Sequence, residues 1–334
     1  CRKKATIPLN FEEQIKRLLQ NSQSQPMTHG NRLVNNSNVW WRTFAAEILK
    51  DTNMLLNWFD PQIGYVLPEM LLFMVLALVI SSIGFYRVVY FISIGYALSI
   101  VAMALVAPLK HFENLSWALA LQNSFLVIWG IRLGIYLVQR EFRASYRKEL
   151  KNIHQRSAGM SWITKVLIWV SVSLLYVLMF SPSLFGLIAL PESSARIYSL
   201  IQIAGLLLMG GGLVLEALAD KQKSDFKAQF PEKYCNVGLY RWVRCPNYLG
   251  EIALWVGNWV MGIMIYDTPL RWIASSIGIV CIVLIMMGST KRLENTQDER
   301  YGGHPEYQDY IRTVPVLFPF VPVYSLKKVR VFLE

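Results

Sequence analysis

The segment RCPNYLGEIALW, residues 244–255, places side chains that could hold a ligand at the start of an apolar stretch. A helix beginning at Pro246 would carry Asn247 and Glu251, four residues apart, on one face. Arginine forks match phosphate oxygens, and helix N-termini favour anions. The spacing predicts that Arg244 contacts phosphate, while Asn247 and Glu251 bind a cofactor amide or ribose hydroxyl. The alternative is an interfacial helix cap without a ligand.

Further ionisable residues lie within or beside apolar stretches, where charge is costly unless it faces a cavity or a partner. Arg132 lies inside IWGIRLGIYLVQRE, and Glu216 and Asp220 end LVLEALAD. Simpler interpretations are snorkelling of Arg132 and closure of a helix near water by the two acids. Taken together, the pattern predicts one mostly positive pocket for a phosphate-bearing ligand. Its predicted members are Arg132, Arg140, Asp220, Lys227, Arg244, Asn247, Glu251 and Arg292.

The composition indicates a polytopic membrane protein. Hydrophobic residues make up 54% of the 334 and charged residues only 16%, whereas soluble domains are about a quarter charged. The net charge of +11 is then typical of basic loops facing anionic lipid or an anionic cofactor, and no nucleic-acid partner is expected. Four cysteines without a C-x-x-C pair and four scattered histidines predict no zinc or haem site.

Seven stretches are long and apolar enough to cross a bilayer, which needs about 20 residues. The predicted fold is therefore an all-α bundle of about seven transmembrane helices. The glycine run at 206–216 predicts close helix packing. The predicted spans are 64–86, 88–109, 115–138, 162–190, 196–218, 248–266 and 270–290.

Loop charge predicts the orientation of the bundle. The links 139–161 and 219–247 and the tail after 290 are rich in lysine and arginine, whereas the alternate links are short and nearly uncharged. The positive-inside rule then places the N-terminus outside and the C-terminus in the cytoplasm. The predicted location is a bacterial inner membrane or an endoplasmic-reticulum-type membrane.

The remaining segments give the predicted domain organisation. Residues 1–62 form a polar arm with interfacial helices, residues 63–322 the seven-helix domain, and residues 323–334 a basic tail. Within the membrane domain, the part over about 196–322 is the reductase-like portion on the resemblance described next.

Three sequence blocks resemble the C-terminal domain of the steroid 5-alpha-reductase-like membrane proteins, in particular their bacterial-type branch. They are EALADKQKSDFKAQ, GLYRWVRCPNYLGEIALWVG and PEYQDYIRTVPVLFPF, and WGIRLGIYLVQR is similar to an earlier block of the same branch. The resemblance covers about residues 85–322. Its R-x-PNY-x-GE block also occurs in the wider superfamily of sterol C14 reductases and of isoprenylcysteine and phospholipid methyltransferases.

The resemblance implies that the cytoplasmic half of the bundle binds NADPH and that a lipid-accessible cavity takes an apolar enone. The cofactor residues it implies are Asp220, Lys227, Asn247 and Glu251, joined by Arg132, Arg140, Arg292, Tyr310 and Arg312. A proton donor would polarise the enone carbonyl while hydride passes to the β-carbon. The expected partners are a lipid-like small molecule and membrane lipids.

The substrate end of the motif departs from the family. Trp129 stands where a tyrosine is expected, and Tyr90 and Ser93 stand where the branch has an acid and a tryptophan. The candidate proton donors are therefore Tyr90, Tyr136 or Tyr96. Two other functions stay open: an S-adenosylmethionine-dependent lipid or prenyl-cysteine methyltransferase, and a non-catalytic lipid- or cofactor-binding protein.

Overall fold

The computed structural model describes residues 51–52, 54–56, 58–142, 159–188 and 196–329, without the side chains of 196–199. The chain divides into two units, Cys1–Leu56 and Asn57–Glu334. The few described residues of the first unit are helical and exposed. Most of the predicted arm over 1–62, most of the basic link 139–161 and residues 330–334 lie outside the described residues, so the predicted domain boundaries stay predictions.

In the described residues of the second unit, all regular structure is helical. Eight α-helices follow one another, and short 3-10 turns connect several of them. The helices are α1 (Ile63–Ser81), α2 (Ile94–Lys110), α3 (Trp117–Phe142), α4 (Trp162–Ile188), α5 (Arg196–Gln229), α6 (Pro246–Met261), α7 (Pro269–Tyr301) and α8 (Pro305–Thr313).

Seven segments of this described part are long and apolar enough to cross a membrane, which confirms the predicted number of spans. They contain α1 to α7 in order. Helices α5 and α7 continue about three turns beyond the predicted apolar spans, since their polar ends are still helical. The orientation relative to the two sides of the membrane stays a prediction.

Contacts between helix ends show that the helices alternate in direction. Tyr96 near the start of α2 contacts Glu251 near the start of α6, and Arg132 late in α3 contacts Asp220 late in α5. At the opposite end, Glu69 of α1 accepts hydrogen bonds from Lys110 at the end of α2. We call the end where α6 begins and α3, α5 and α7 finish the basic end, because the lysine- and arginine-rich links emerge there.

Helices α5 and α6 form the most extensive helix pair, and glycines allow their close approach. A Cβ atom at Gly212 would lie 2.5 Å from the carbonyl oxygen of Gly250, and one at Gly257 would lie 2.6 Å from that of Gly205. The glycine run thus has the packing role expected from the sequence. Close pairing of these two helices sets Glu216 of α5 against the first turns of α6, where a Cβ at Gly250 would lie 2.7 Å from the Glu216 nitrogen.

Candidate functional site

The start of α6 is formed as the sequence predicts. Pro246 is the first helical residue, where its missing N–H costs no helical hydrogen bond. Asn247, Glu251, Trp255 and Asn258 follow at spacings of four, four and three, which is one helix face. The last three are buried and face the bundle. This face therefore carries a polar line from the basic end into the apolar core.

Glu251 is held inside a cluster of aromatic rings. The Tyr96 hydroxyl donates a hydrogen bond of 3.2 Å to its Oε1. The Tyr96 ring centroid lies 5.1 Å from that of Trp129 and 5.2 Å from that of Tyr176, and Trp129 is edge-on to Trp255 at 5.3 Å. We call Tyr96, Trp129, Tyr176 and Trp255 the aromatic cage. All four are buried, so the Tyr96–Glu251 contact is shielded from water.

Arg132 forms ion pairs with two carboxylates of α5 beside this cage. It contacts Glu216, and its Nη1 lies 2.8 Å from Asp220 Oδ2. The Trp129 indole donates a hydrogen bond of 3.1 Å to Glu216 Oε2. The Arg132–Asp220 pair and the Tyr96–Glu251 contact thus lie on either side of Trp129, and their common role in cofactor binding stays a prediction. Around Arg132, carboxyl groups outnumber guanidinium groups, so this part of the bundle is not mostly positive. The positive charge predicted for the pocket would have to come from residues nearer the basic end.

Arg244 lies in a second cluster and is buried. Its Nη2 lies 2.9 Å from Glu294 Oε1 of α7 and donates to the carbonyl of Tyr324 at 2.5 Å. Glu294 also accepts a hydrogen bond of 2.8 Å from the Leu326 backbone N–H. These contacts attach the C-terminal segment to α6 and α7. The phosphate role of Arg244 stays a prediction, and its Nε has no hydrogen-bond partner among the described residues.

Lys227 and Tyr310 belong to a third cluster, beyond the end of the spans. Lys227 donates to the Tyr301 hydroxyl at 2.7 Å, and Tyr310 donates to the backbone carbonyl of Tyr240 at 2.7 Å. Tyr234 packs its ring against Tyr301, Tyr307 and Tyr310. Burial raises the pKa of Tyr310 well above its ordinary value, so it is a neutral hydrogen-bond donor at physiological pH.

Of the three tyrosines predicted as proton donors, Tyr96 is the one that donates a hydrogen bond to Glu251. Tyr90 donates a hydrogen bond of 2.7 Å to Glu141, which lies at the end of α3. It also accepts a hydrogen bond from Arg87. Tyr136 is half-buried one turn beyond Arg132 and lies near the hydroxyls of Tyr240 and Tyr248. The hydrogen bonds of Tyr90 thus join it to Arg87 and Glu141.

The remaining predicted residues surround the basic end. Arg140 is half-buried in the last turn of α3, Arg292 is exposed on α7, and Arg312 is exposed on α8. Asn247 is half-buried, and its Oδ1 atom is enclosed without a hydrogen-bond partner among the described residues. An enclosed amide oxygen without a donor is unusual and is suited to receive one from a ligand.

Several residues of these clusters were not predicted as site members, among them Trp255, Tyr176 and Glu294. Trp255 and Tyr176 are two apolar-looking positions among many in their spans, and only packing shows that their rings lie against that of Tyr96. Glu294 lies in KRLEN, which has the composition of an exposed helix end. The only signal for it was a carboxylate on the same helix as a long apolar run.

Comparison with known proteins places the chain in a family. A family model described as "Protein of unknown function (DUF1295)" matches residues 78–314. An uncharacterized protein of Schizosaccharomyces pombe, C594.04c, is 24% identical over 209 residues, which cover 55% of this chain and 59% of that protein. The chain therefore spans less than two thirds of that relative. No solved structure is significantly similar to it. Since the family model matches more than half of the chain and includes α2 to α7, this chain belongs to the DUF1295 family.

Proposed function

We propose that this protein is a membrane-embedded reductase that uses NADPH to reduce the carbon–carbon double bond of an apolar, steroid-like or isoprenoid enone. The observation that carries the proposal is the hydrogen bond between Tyr96 and Glu251 inside the aromatic cage. A phenol hydroxyl beside a carboxyl group, in an apolar bundle, is suited to donate a proton to a carbonyl oxygen. The family is linked to steroid 5-alpha-reductase-like proteins, which supports the proposal.

The residues at the basic end fit a nucleotide cofactor. The enclosed Asn247 Oδ1 can accept a hydrogen bond from a carboxamide or a ribose hydroxyl. It lies in the first turn of α6, where backbone N–H groups favour an anion. Arg140, Arg292 and Arg312, near the same end of the bundle, provide guanidinium groups of the kind that bind phosphate.

The cage supplies the protein's part of the chemistry. NADPH, when bound, supplies a hydride for the β-carbon of the enone. Tyr96 holds a proton that it can pass to the carbonyl oxygen, and the resulting enol rearranges to the saturated ketone. Glu251, which accepts the hydrogen bond of Tyr96, can take up a proton from solution and lies within hydrogen-bond distance to return it to Tyr96. The buried rings of Trp129, Tyr176 and Trp255 exclude water from this exchange.

The substitution at Trp129 is compatible with this chemistry. The steroid 5-alpha-reductases that the chain resembles are expected to have a tyrosine at this place on the third span, and Trp129 cannot replace it as an acid. Tyr96 reaches the same neighbourhood from α2, since its ring lies 5.1 Å from that of Trp129. We infer that the hydroxyl has moved from the third span to the second.

The proposal is tested by ligand binding and by turnover. Purified protein in nanodiscs is titrated with NADPH and, separately, with S-adenosylmethionine, and its unfolding temperature is followed. We expect stabilisation by NADPH, about 2.7 kcal/mol at a hundredfold excess over Kd. We also expect NADPH oxidation with members of a panel of apolar enones.

A matched variant connects the binding to the site. Asn247→Ala should weaken NADPH binding about tenfold, the cost of one hydrogen bond, and leave the ligand-free unfolding temperature unchanged. Stabilisation by S-adenosylmethionine alone would instead indicate a methyltransferase. A protein that responds to neither ligand would be the non-catalytic alternative, and the reductase proposal would be wrong.

A further inference from the structure

An open pocket of about 300 Å³ lies where the turn before α6 meets the C-terminal segment. No residue of the aromatic cage lines it. Its wall combines the cation of Arg241 with the aromatic rings of Trp242, Phe320 and Tyr324. Val321 and several prolines complete it. This pocket is independent of the proposed reductase function.

Backbone hydrogen bonds fix the pocket at the level where α6 enters the membrane. Trp242 lies four residues before Pro246, the first residue of a span. The N–H of Arg244 donates to the carbonyl of Pro315 at 3.0 Å, and that of Cys245 donates to Val316 at 3.1 Å. The C-terminal segment is therefore held beside the start of α6. The pocket accordingly lies at the boundary between apolar span and water at the basic end.

The outer rim of the pocket exposes large apolar side chains. Phe320 is 87% exposed and Trp242 is 63% exposed, and their ring centroids lie 6.2 Å apart. Phe320 has a φ of +64°, a backbone conformation that bulky residues rarely adopt. The segment thus holds an aromatic ring outward in a disfavoured conformation. Exposed aromatic rings at this depth are typical of the boundary region of a bilayer, where an apolar ring meets headgroups.

The charge around the rim is complementary to anionic headgroups. Arg241 lines the pocket, and Arg312 and Lys328 are also exposed in the adjoining segments. Two acids near the C-terminal segment are already paired, Glu294 with Arg244 and Asp298 with Lys327. Basic residues near a membrane surface attract anionic lipid.

We propose that this pocket binds the phosphate headgroup of an anionic phospholipid of the surrounding membrane. Arg241 contacts the phosphate, while Trp242 and Phe320 insert beside it at the headgroup–acyl boundary. The site would anchor the C-terminal segment, and with it the start of α6, to the membrane surface. A lipid already in the bilayer needs no path through the bundle to reach it.

The experiment uses the full chain in nanodiscs of phosphatidylcholine, with or without phosphatidylglycerol. The photoreactive residue p-benzoylphenylalanine replaces Phe320, and after irradiation the adducts are identified by mass spectrometry. The same residue at Asp225, exposed on the polar extension of α5, is the control. We expect lipid adducts at position 320 in severalfold excess over position 225, enriched in phosphatidylglycerol relative to its share of the lipid.

Arg241→Gln in the Phe320-substituted chain tests the headgroup contact. It should lower the enrichment of phosphatidylglycerol about fivefold, because that is about the factor by which one basic residue near a membrane surface strengthens the binding of anionic lipid. An unchanged unfolding temperature shows that the variant is folded. The proposal is wrong if position 320 gives no more lipid adducts than position 225, or if Arg241→Gln leaves the enrichment unchanged. Loss of adducts on adding NADPH would assign the pocket to the nucleotide instead.

Discussion

Arg244 and Glu294 form an ion pair with an N–O distance of 2.9 Å, and only 3% of each side chain is exposed. The two residues are fifty positions apart: Arg244 lies two residues before Pro246, the first residue of α6, and Glu294 lies on α7. Glu294 also binds the backbone of Leu326, so the pair joins three segments at the basic end. An arginine that the sequence places beside a ligand therefore has a structural partner of its own.

Removing one member of this pair should destabilise the fold strongly. Arg244→Met leaves a buried carboxylate without a counter-charge, and we expect a loss of about 3–5 kcal/mol in the free energy of unfolding. Denaturant unfolding in detergent measures it. The control is Lys221→Met, which breaks an exposed pair with Asp225 at 3.0 Å and should cost less than about 1 kcal/mol. Equal stability of the two variants would contradict a structural role for Arg244.

Tyr96→Phe should remove turnover and leave NADPH binding intact. The variant keeps the ring contacts of the aromatic cage and loses only the hydroxyl that donates to Glu251. We expect kcat to fall about 10²- to 10⁴-fold, the range for losing a general acid. Tyr90→Phe is the matched control, because its hydroxyl is bonded to Glu141 instead. Lost turnover in Tyr90→Phe, with turnover kept in Tyr96→Phe, would make Tyr90 the proton donor.

Gly212→Ala should force α5 and α6 apart. The added Cβ would lie 2.5 Å from the Gly250 oxygen and 2.6 Å from the Leu254 nitrogen, both backbone atoms that cannot move aside alone. We expect a loss of about 1–3 kcal/mol in the free energy of unfolding. Gly211→Ala is the adjacent control, since nothing lies within 4 Å of its Cβ, and it should be neutral or stabilising. Equal effects of the two changes would show that the glycine contact is unimportant.

Alkaline pH should destabilise the protein through Cys245. Burial raises the pKa of this thiol from its ordinary value of 9.0 to about 11. Below pH 9 the thiol is neutral in both the folded and the unfolded chain. Between pH 9 and 11 it ionises only when unfolded, so the free energy of unfolding should fall by up to about 1.4 kcal/mol per pH unit.

Cys245→Ala provides the control for this pH dependence. The variant lacks the thiol, so its free energy of unfolding should change less between pH 9 and 11, whatever its absolute stability. Burial also raises the pKa of Tyr307 from its ordinary value of 10.0 to about 12, so above pH 10 this residue lowers the free energy of unfolding too. Because Tyr307 is present in both proteins, its effect is the same in each. An identical slope in the two proteins would show that Cys245 does not titrate as expected.

The sequence was a good guide wherever one property of one segment decided the outcome. Apolar length predicted the seven spans, Pro246 predicted the start of α6, and the glycine run predicted close helix packing, which the structure shows between α5 and α6. The expectation that ionisable residues inside spans need partners applies to Arg132, which forms an ion pair with Asp220.

Tertiary structure decided which partner each polar residue has. The sequence shows that Tyr90, Tyr96 and Tyr136 all lie within spans near the basic end, but the packing of the helices brings Tyr96 to Glu251 and Tyr90 to Glu141. The same packing pairs Arg244 with Glu294. Hydropathy and helix starts are local properties that a short segment carries alone. The choice of partner depends on how helices distant in sequence rotate and pack against one another, and only the folded bundle fixes that.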